Sequence, residues 1–434
     1  MKTTMKKSLV RVLTGLCCVL PLTAAQAQWT WSAGVGVSHN NNEFKTAEDP
    51  VSDTKGDVSV ALRGEQTGPR LDTSLALDVS YGLHSWESTT ELAGGVNGSL
   101  LYRLSPRFLH FQIDNSFGQY RRDLLLPETQ DNRSNFNVFS AGPDIILPLG
   151  QRSSLRISGR WSDRHFEDSL AGSSRLTTSS ALTYALSVNS TLSLTASNAD
   201  VSYELLDQLN DYTIQEGALS YWYRAPQTTI NLEGGRTRIK YPNRVQLAEL
   251  PTQPLIRAFI SRNLTQRSML TLSVGSTYSD NGDRFVLDQS VLGVDQSALI
   301  GSAGVDVFKS DYAFLSLQGE GARMSAGVSV GWGRTRHEEQ VALDSESREV
   351  GLSLSRRMSA RTSVFLRGNY AQQDLVSSEF KPDDWMASTG VDWRFRETLA
   401  VVFTVGHFAG TRGLDNAKYK GDVVGLRFTY APAR

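Results

Sequence analysis

The chain has 434 residues, 40% of them hydrophobic, and 44 Lys and Arg stand against 45 Asp and Glu. Such a balance argues against nucleic acid as a partner, and two cysteines are too few for a disulfide-stapled scaffold. Mean hydropathy is −0.28, and no segment beyond the N-terminal region approaches the ~18 consecutive apolar residues of a membrane helix.

Residues 1–27 read as an export signal. Lys2, Lys6, Lys7 and Arg11 precede an apolar segment from Val12 to Leu22 that is too short to span ~30 Å of hydrocarbon. Ala25-Gln26-Ala27 is an A-x-A cleavage signature, so the mature chain is expected to begin at Gln28. Cys17 and Cys18 raise a lipoprotein signal as an alternative, but Leu16 stands where such a signal needs a small residue. Both cysteines are expected to leave with the signal. Its removal takes away four cations and no acid, leaving a mildly acidic chain.

The next stretch, WTWSAGVGVSHNNNEF, puts Trp29, Trp31, Ala33, Val35 and Val37 on one side and small residues on the other, then stops in Asn40-Asn41-Asn42. The alternation recurs down the chain. Leu71, Thr73, Leu75, Leu77, Val79, Tyr81 and Leu83 share a face opposite Asp72, Ser74, Ala76, Asp78, Ser80 and Gly82. Residues 176–188, 192–199, 269–278, 384–395 and 422–430 behave alike. A side-chain period of two means strands with one apolar and one polar face.

Two kinds of joint alternate between these strands. Short clusters of Pro, Gly, Asn and Ser near 67, 104, 148, 189, 224, 264, 309, 357 and 396 predict tight reversals. Longer polar joints include 45–56, 121–133, 241–253, 280–296, 374–384 and 411–420. Opposite ends of the strands therefore differ, as in outer-membrane barrels. The count is about 20 strands, within a range of 16 to 22, with both termini on the short-turn side. Near residue 317 the phase changes: Leu315 and Leu317 are odd, Val328 and Val330 even. A bulge, a glycine kink or a miscounted hairpin each accounts for this.

In hydrocarbon every backbone N–H and C=O needs a protein partner, so strands span only as a closed sheet. The expected fold is all-β, a single transmembrane up-and-down antiparallel barrel over 28–434, with short periplasmic turns and longer extracellular loops. The rival is a soluble β-sandwich or propeller, but no regular blade-length repeat is visible. Trp29 and Trp31 fall at the expected periplasmic interface, where amphipathic aromatic rings are favoured. Tyr102, Phe108, Tyr221, Tyr223, Phe308, Tyr312, Trp393 and Phe395 lie near expected strand ends in the same way.

The final strand resembles the C-terminal insertion signal of outer-membrane barrels, with Gly425, Phe428 and Tyr430 matching it. Val423 departs from it, standing where a polar residue is usual, and so does the trailing Ala431-Pro432-Ala433-Arg434. The resemblance implies recognition by the barrel-assembly machinery and a home in the outer membrane, among its lipid and lipopolysaccharide. More broadly, the chain resembles the β-barrel porins encoded beside exopolysaccharide biosynthesis systems of Gram-negative bacteria. Gly34, Gly36, Asn42 and Phe44 match their opening strand and its N-x-F surface segment, while His39 and Asn40 depart from it. This resemblance implies an export pore for polysaccharide, working with periplasmic export components and without a cofactor. A general diffusion porin is the alternative on the same fold; a lipid-modifying barrel enzyme and a surface adhesin are alternatives of other kinds.

Among basic residues of the mature chain, Arg outnumbers Lys 33 to 7. Leu155, Ile157 and Trp161 on the lipid side put Arg156, Arg160 and Arg164 inward as a ladder. Arg103, Arg367, Arg394 and Arg427 share the inward phase of their strands. Arg236, Arg238 and Lys240 do so only if Gly234-Gly235 forms a bulge. Arginine suits a pore wall that handles carboxylates or phosphates, because its planar fork pairs bidentately and stays charged. The plainer reading is that these side chains brace the wall against Asp72, Asp78, Asp114 and Asp392. A loop such as 280–296 is the available means of narrowing the lumen. Enzyme signals are thin. Gly327 to Gly331 matches G-x-S-x-G around Ser329, but in an alternating strand rather than the strand-to-helix elbow that motif requires. The six histidines have no metal-ligand spacing. His165 beside Arg164 is the one suggestion of a lipid-modifying centre, with nothing nearby in support. Asp280, Asp283 and Asp288 suit surface Ca²⁺ less well than they suit a solvated acidic loop.

Overall fold

The computed structural model describes residues 28–432, apart from 87–88, 122–131, 168–171, 204–209, 244–249, 281–306, 339–340, 377–380 and 413–416. Twenty strands run in chain order. They are β1 (Gln28–Asn40), β2 (Asp53–Thr67), β3 (Leu71–His84), β4 (Thr90–Ser105), β5 (Leu109–Arg121), β6 (Arg133–Pro148) and β7 (Ser153–Phe166). Then come β8 (Ser173–Ala185), β9 (Ser190–Tyr203), β10 (Tyr212–Ala225), β11 (Thr228–Lys240), β12 (Gln253–Thr265), β13 (Ser268–Asp280) and β14 (Val307–Glu320). The last six are β15 (Met324–His337), β16 (Ser345–Arg357), β17 (Thr362–Leu375), β18 (Asp383–Arg396), β19 (Leu399–Arg412) and β20 (Ala417–Tyr430). A 3₁₀ turn at Val341–Leu343 is the helical element among the described residues. Each strand pairs antiparallel with its neighbours in sequence, and β20 returns to pair with β1, from Ala33↔Tyr430 to Asn40↔Val423. The sheet has no edge, which satisfies the backbone wherever water is absent.

Burial within the strands follows the predicted alternation. Val35, Val37, Val58, Val60, Leu315, Leu317, Val328 and Val330 are each at least 44% exposed on the outer face. A water-soluble sheet would cover such a continuous apolar band, so the band is the surface that meets lipid. Trp29, Trp31, Tyr430 and Trp393 border it at the short-turn end, and Tyr81, Trp332 and Trp385 toward the other. Trp31 packs on Tyr430 across the closing seam, their centroids 5.5 Å apart. Gly64 leaves the room that Trp29 fills, since a Cβ there would lie 2.2 Å from its ring.

Nine short turns and ten longer connections alternate, so both termini lie at the short-turn end. One turn was misplaced by the sequence. Residue 309 lies inside β14, and the reversal falls at 321–323, where Gly321 donates to the Met324 carbonyl at 2.6 Å. The phase change after Leu317 is therefore a hairpin. Gly234-Gly235 is no bulge: β10 and β11 stay in register from Thr213↔Lys240 to Ala225↔Thr228. Arg236, Arg238 and Lys240 accordingly share the outward alternation of Ile230 and Leu232. Phe308 and Tyr312 also depart from expectation: both lie on the inward alternation, and Phe308 is buried against His337.

The asparagine run fastens the barrel's seam. Asn41 donates from its amide nitrogen to Asp422 Oδ2 (3.1 Å) and accepts from the Asp422 N–H (2.7 Å). Asn42 is buried, donating to the carbonyls of Thr46 (2.8 Å) and Lys420 (3.0 Å) while its oxygen accepts from the Thr46 N–H (2.9 Å). The loop after β1 is thus tied to β20 beyond the strand ladder.

Candidate functional site

The surface that differs chemically from the lipid face is the inner wall. All seven arginines expected to line it lie on the inward alternation, and they divide into two groups. Arg103 forms a fork with Asp72 and also donates to the Gly68 carbonyl at 2.9 Å. Arg160 on β7 donates to both Asp144 oxygens on β6 at 2.9 Å and to Gln112 on β5 at 3.0 Å, knitting three strands. Arg427 on β20 reaches across β1 to Asp57 (2.6 Å) and Ser59 (2.9 Å) on β2. Gly34 and Gly36 make that crossing possible, because a Cβ on Gly36 would meet Asp57 Oδ1 at 2.6 Å. Arg164 is buried in an ion pair described below. Arg156, Arg367 and Arg394 are exposed and make no direct ion pair among the described residues, although the charge of Arg156 is felt at Asp144; Arg367 lies over the Phe365 ring at 4.9 Å.

Of the four bracing acids expected from the sequence, only Asp72 holds one of these arginines directly. Asp57, Asp144 and Asp280 take the other places. Asp114 accepts instead from Gln112, at 2.8 Å, one step behind Arg160. Alternation gives each residue its face, whereas pairing across strands depends on register.

At the long-loop end the wall turns in on itself. Asp280, the last residue of β13, accepts from Arg164 of β7 (2.7 Å), from Arg175 of β8 (3.5 Å) and from the hydroxyl of Tyr212 of β10 (2.6 Å). Six strand spacings separate β7 from β13, about 29 Å of wall, far beyond the reach of one arginine and one aspartate. Strict alternation gives Asp280 the outward phase of Leu272 and Val274. Yet Tyr278, Ser279 and Asp280 are buried in succession, so the end of β13 has rolled toward the lumen. Tyr278 and Val307 join inward-facing Ala199, Val201, Ile214 and Ile239 in an apolar cluster beside the ion pair. The rest of the loop expected to narrow the channel, 281–296, lies outside the described residues, as do Asp283 and Asp288. Asp280 itself is committed to arginine and tyrosine.

A second polar cluster lines the mouth near β1–β4. Glu43, Asp53 and His84 offer one ligand atom each within 4.8 Å of one another. His84 is, however, held on both sides, by Asp53 through Nδ1 (2.6 Å) and by Glu91 through Nε2 (3.1 Å). Lys55 and Arg133 both pair with Glu91. Three carboxylates facing two cations and a histidine form an ion-pair network. Burial raises the Glu43 carboxyl above the ordinary glutamate range and the charge of Asp53 adds to this, against the donated amide of Asn40 at 2.8 Å. A carboxyl that binds its proton more tightly when folded favours folding below the unfolded pKa, and that contribution fades as pH rises through the folded value. The loop over 41–52 is therefore expected to lose hydrogen-exchange protection as pH climbs from mildly acidic to neutral. Glu43→Gln should flatten the profile, and an unchanged profile would refute this.

The enzyme signals resolve simply. Ser329 lies within β15 with strand on either side, not at an elbow. His165 is exposed on the outer alternation, turned away from Arg164. Gly425, Phe428 and Tyr430 fall in β20, with Phe428 and Tyr430 exposed on the lipid face beside β1.

No family model and no curated protein matches the sequence. Among solved structures, the chain is similar to the siderophore receptor PirA from Pseudomonas aeruginosa. Identity is 10%, over 93% of this chain and 80% of that one, with a TM-score of 0.46. It is similar to the ferric enterobactin receptor PfeA of the same organism at 12% identity over 93% and 80%, with a TM-score of 0.47. An anion-selective porin from Comamonas acidovorans aligns at 10% identity over 94% of this chain and all of that one, with a TM-score of 0.41.

Proposed function

We propose that the chain is an outer-membrane channel for polar solutes, and that its particular cargo is a polysaccharide leaving the cell. The observation that carries the channel reading is the two-faced closed cylinder, apolar outside and lined within by arginine, aspartate, serine and threonine. Barrels of this strand number enclose a lumen wide enough for water. Residues 1–27 serve as the cleaved signal, the long loops face the medium, and Gly425, Phe428 and Tyr430 present the final strand to the assembly machinery. The resemblance carried by Gly34, Gly36, Asn42 and Phe44 supports the export assignment.

Two experiments test the two levels of this reading. Purified barrel in a planar bilayer is expected to conduct ions, and a silent, non-conducting bilayer sinks the channel. Arg156, Arg367 and Arg394 place exposed positive charge on the inner wall. Changing all three to Glu should lower anion over cation permeability a few-fold with folding unchanged, because none holds a wall ion pair. Cells lacking the gene should retain polysaccharide in the periplasm; normal secretion with impaired uptake of small solutes instead selects the diffusion porin.

A further inference from the structure

Large apolar side chains that are well exposed within the strands point outward, with three exceptions among the described residues: Trp222, Met269 and Met386. Trp222 is 40% exposed on the inward alternation of β10, where a polar lumen offers it no apolar partner. Register explains its place. Trp222 pairs with Asn231, Asn231 with Phe259, Phe259 with Ser273, and Ser273 with Phe314, so that one row crosses five strands on the inner wall.

The row is a spiral. Trp222 is three residues from the short-turn end of β10, Phe259 and Phe314 are in the middle of β12 and β14, and the row continues through Gly331 to Glu349, four residues from the long-loop end of β16. Strands tilted in a barrel make any row perpendicular to them climb the wall. Its flank on the short-turn side is a ladder of hydroxyls: Thr229, Ser261, Thr271, Ser316 and Ser329 pair in succession. On the other flank Tyr312 lies across Gly275, whose Cβ would come within 2.5 Å of the ring, and Glu233 neutralises Arg257 at 3.2 Å. Beyond the hydroxyl ladder opens a cavity of about 540 Å³ lined by Asn263, Met269, Gln318, Gly327 and Ser353.

We propose that this row is a saccharide track. Trp222, Phe259 and Phe314, two strands or about 10 Å apart along the row, stack against the C–H faces of alternate sugar rings, and the hydroxyl ladder bonds their rims. A sugar ring pairs an apolar face with a hydroxylated edge, and the wall offers the complement in an aromatic row with a hydroxyl row beside it. The residues of the row and of its hydroxyl ladder from Trp222 to Phe314 are uncharged. Arg224 borders the ladder opposite Thr229, and Arg257 is neutralised by Glu233, so the segment the row itself suits is an uncharged glycan. The track rests on the channel reading for its cargo and gives that cargo a path.

The test uses maltohexaose, a neutral hexasaccharide, with the full-length barrel. In the bilayer it should interrupt the current, and in detergent it should bind by calorimetry. Trp222→Ala, Phe259→Ala and Phe314→Ala should each shorten the interruptions about fivefold through lost aromatic contact. The triple variant should abolish them, Trp222→Phe should keep most of the effect, and the outward control Trp332→Ala should leave it unchanged. Folding of every variant is checked by the heat-dependent gel shift of closed barrels. A conducting barrel that the sugar neither blocks nor binds, or whose blockade survives the triple change, overturns the track and leaves the channel standing. Binding that the triple change abolishes in a barrel that does not conduct overturns the channel and leaves the track.

Discussion

Asp280→Ala is expected to loosen the long-loop end of the barrel and enlarge its conductance. Arg164 and Asp280 have side chains about 4% and 3% exposed, and Arg175 reaches the same carboxylate. Removing one member of a buried pair leaves the remaining charge desolvated, at a cost of about 3–5 kcal/mol. Here two guanidinium groups and the Tyr212 hydroxyl lose their common acceptor. The local structure has an exit that a packed core lacks: β13 can unroll to the outward phase its alternation prescribes, freeing the arginines to water. Urea should then release the 268–280 hairpin arm early in hydrogen exchange, and single-channel current should rise and become noisier. Asp280→Asn, which still accepts from Tyr212 but cannot neutralise arginine, should fall between. Unaltered current and unaltered exchange in Asp280→Ala would mean that the contact neither closes nor braces anything.

That contact marks where legibility in the sequence ends. The barrel and its strand number were readable because period-two alternation is a local property, repeated in every strand with turn residues between. Local information failed in two informative places. Lys309-Ser310-Asp311 looks like a turn by composition but is strand, since its neighbours on β13 and β15 continue the ladder past it. The real reversal at Gly321 was hidden in a small-residue run. The inward-facing arginines were legible one at a time, yet their partners were not. Arg427 reaches Asp57 across a sequence separation of 370, and Arg164 reaches Asp280 across 116. Such pairs depend on closure and on the roll of β13, neither of which leaves a periodic trace. The aromatic row was invisible for the same reason: Trp222, Phe259 and Phe314 have no spacing in common along the chain and align only through four pairings between strands.

Adjacent residues on β14 should respond oppositely to the same substitution. Leu315 is 44% exposed on the outer face, opposite Leu272 and Val330; Ser316 points inward between Thr271 and Ser329. Leu315→Arg places a guanidinium among hydrocarbon tails near the middle of the apolar band, at a cost of about 2–4 kcal/mol, whereas an arginine on the luminal side stays in water. Refolding from urea into lipid vesicles should therefore fall sharply for Leu315→Arg, read by the gel shift between unfolded and closed barrel, and stay near wild type for Ser316→Arg. A sheet in water inverts the expectation. There an exposed leucine gains solubility when replaced by arginine, so easy folding of Leu315→Arg with failure of Ser316→Arg would turn the barrel inside out, chemically, and remove the lumen on which the arginine wall and the aromatic row both depend. The single-residue offset makes the comparison direct, because both variants share strand, depth and added charge and meet opposite sides of the sheet; the larger added volume falls on Ser316→Arg, the variant expected to fold.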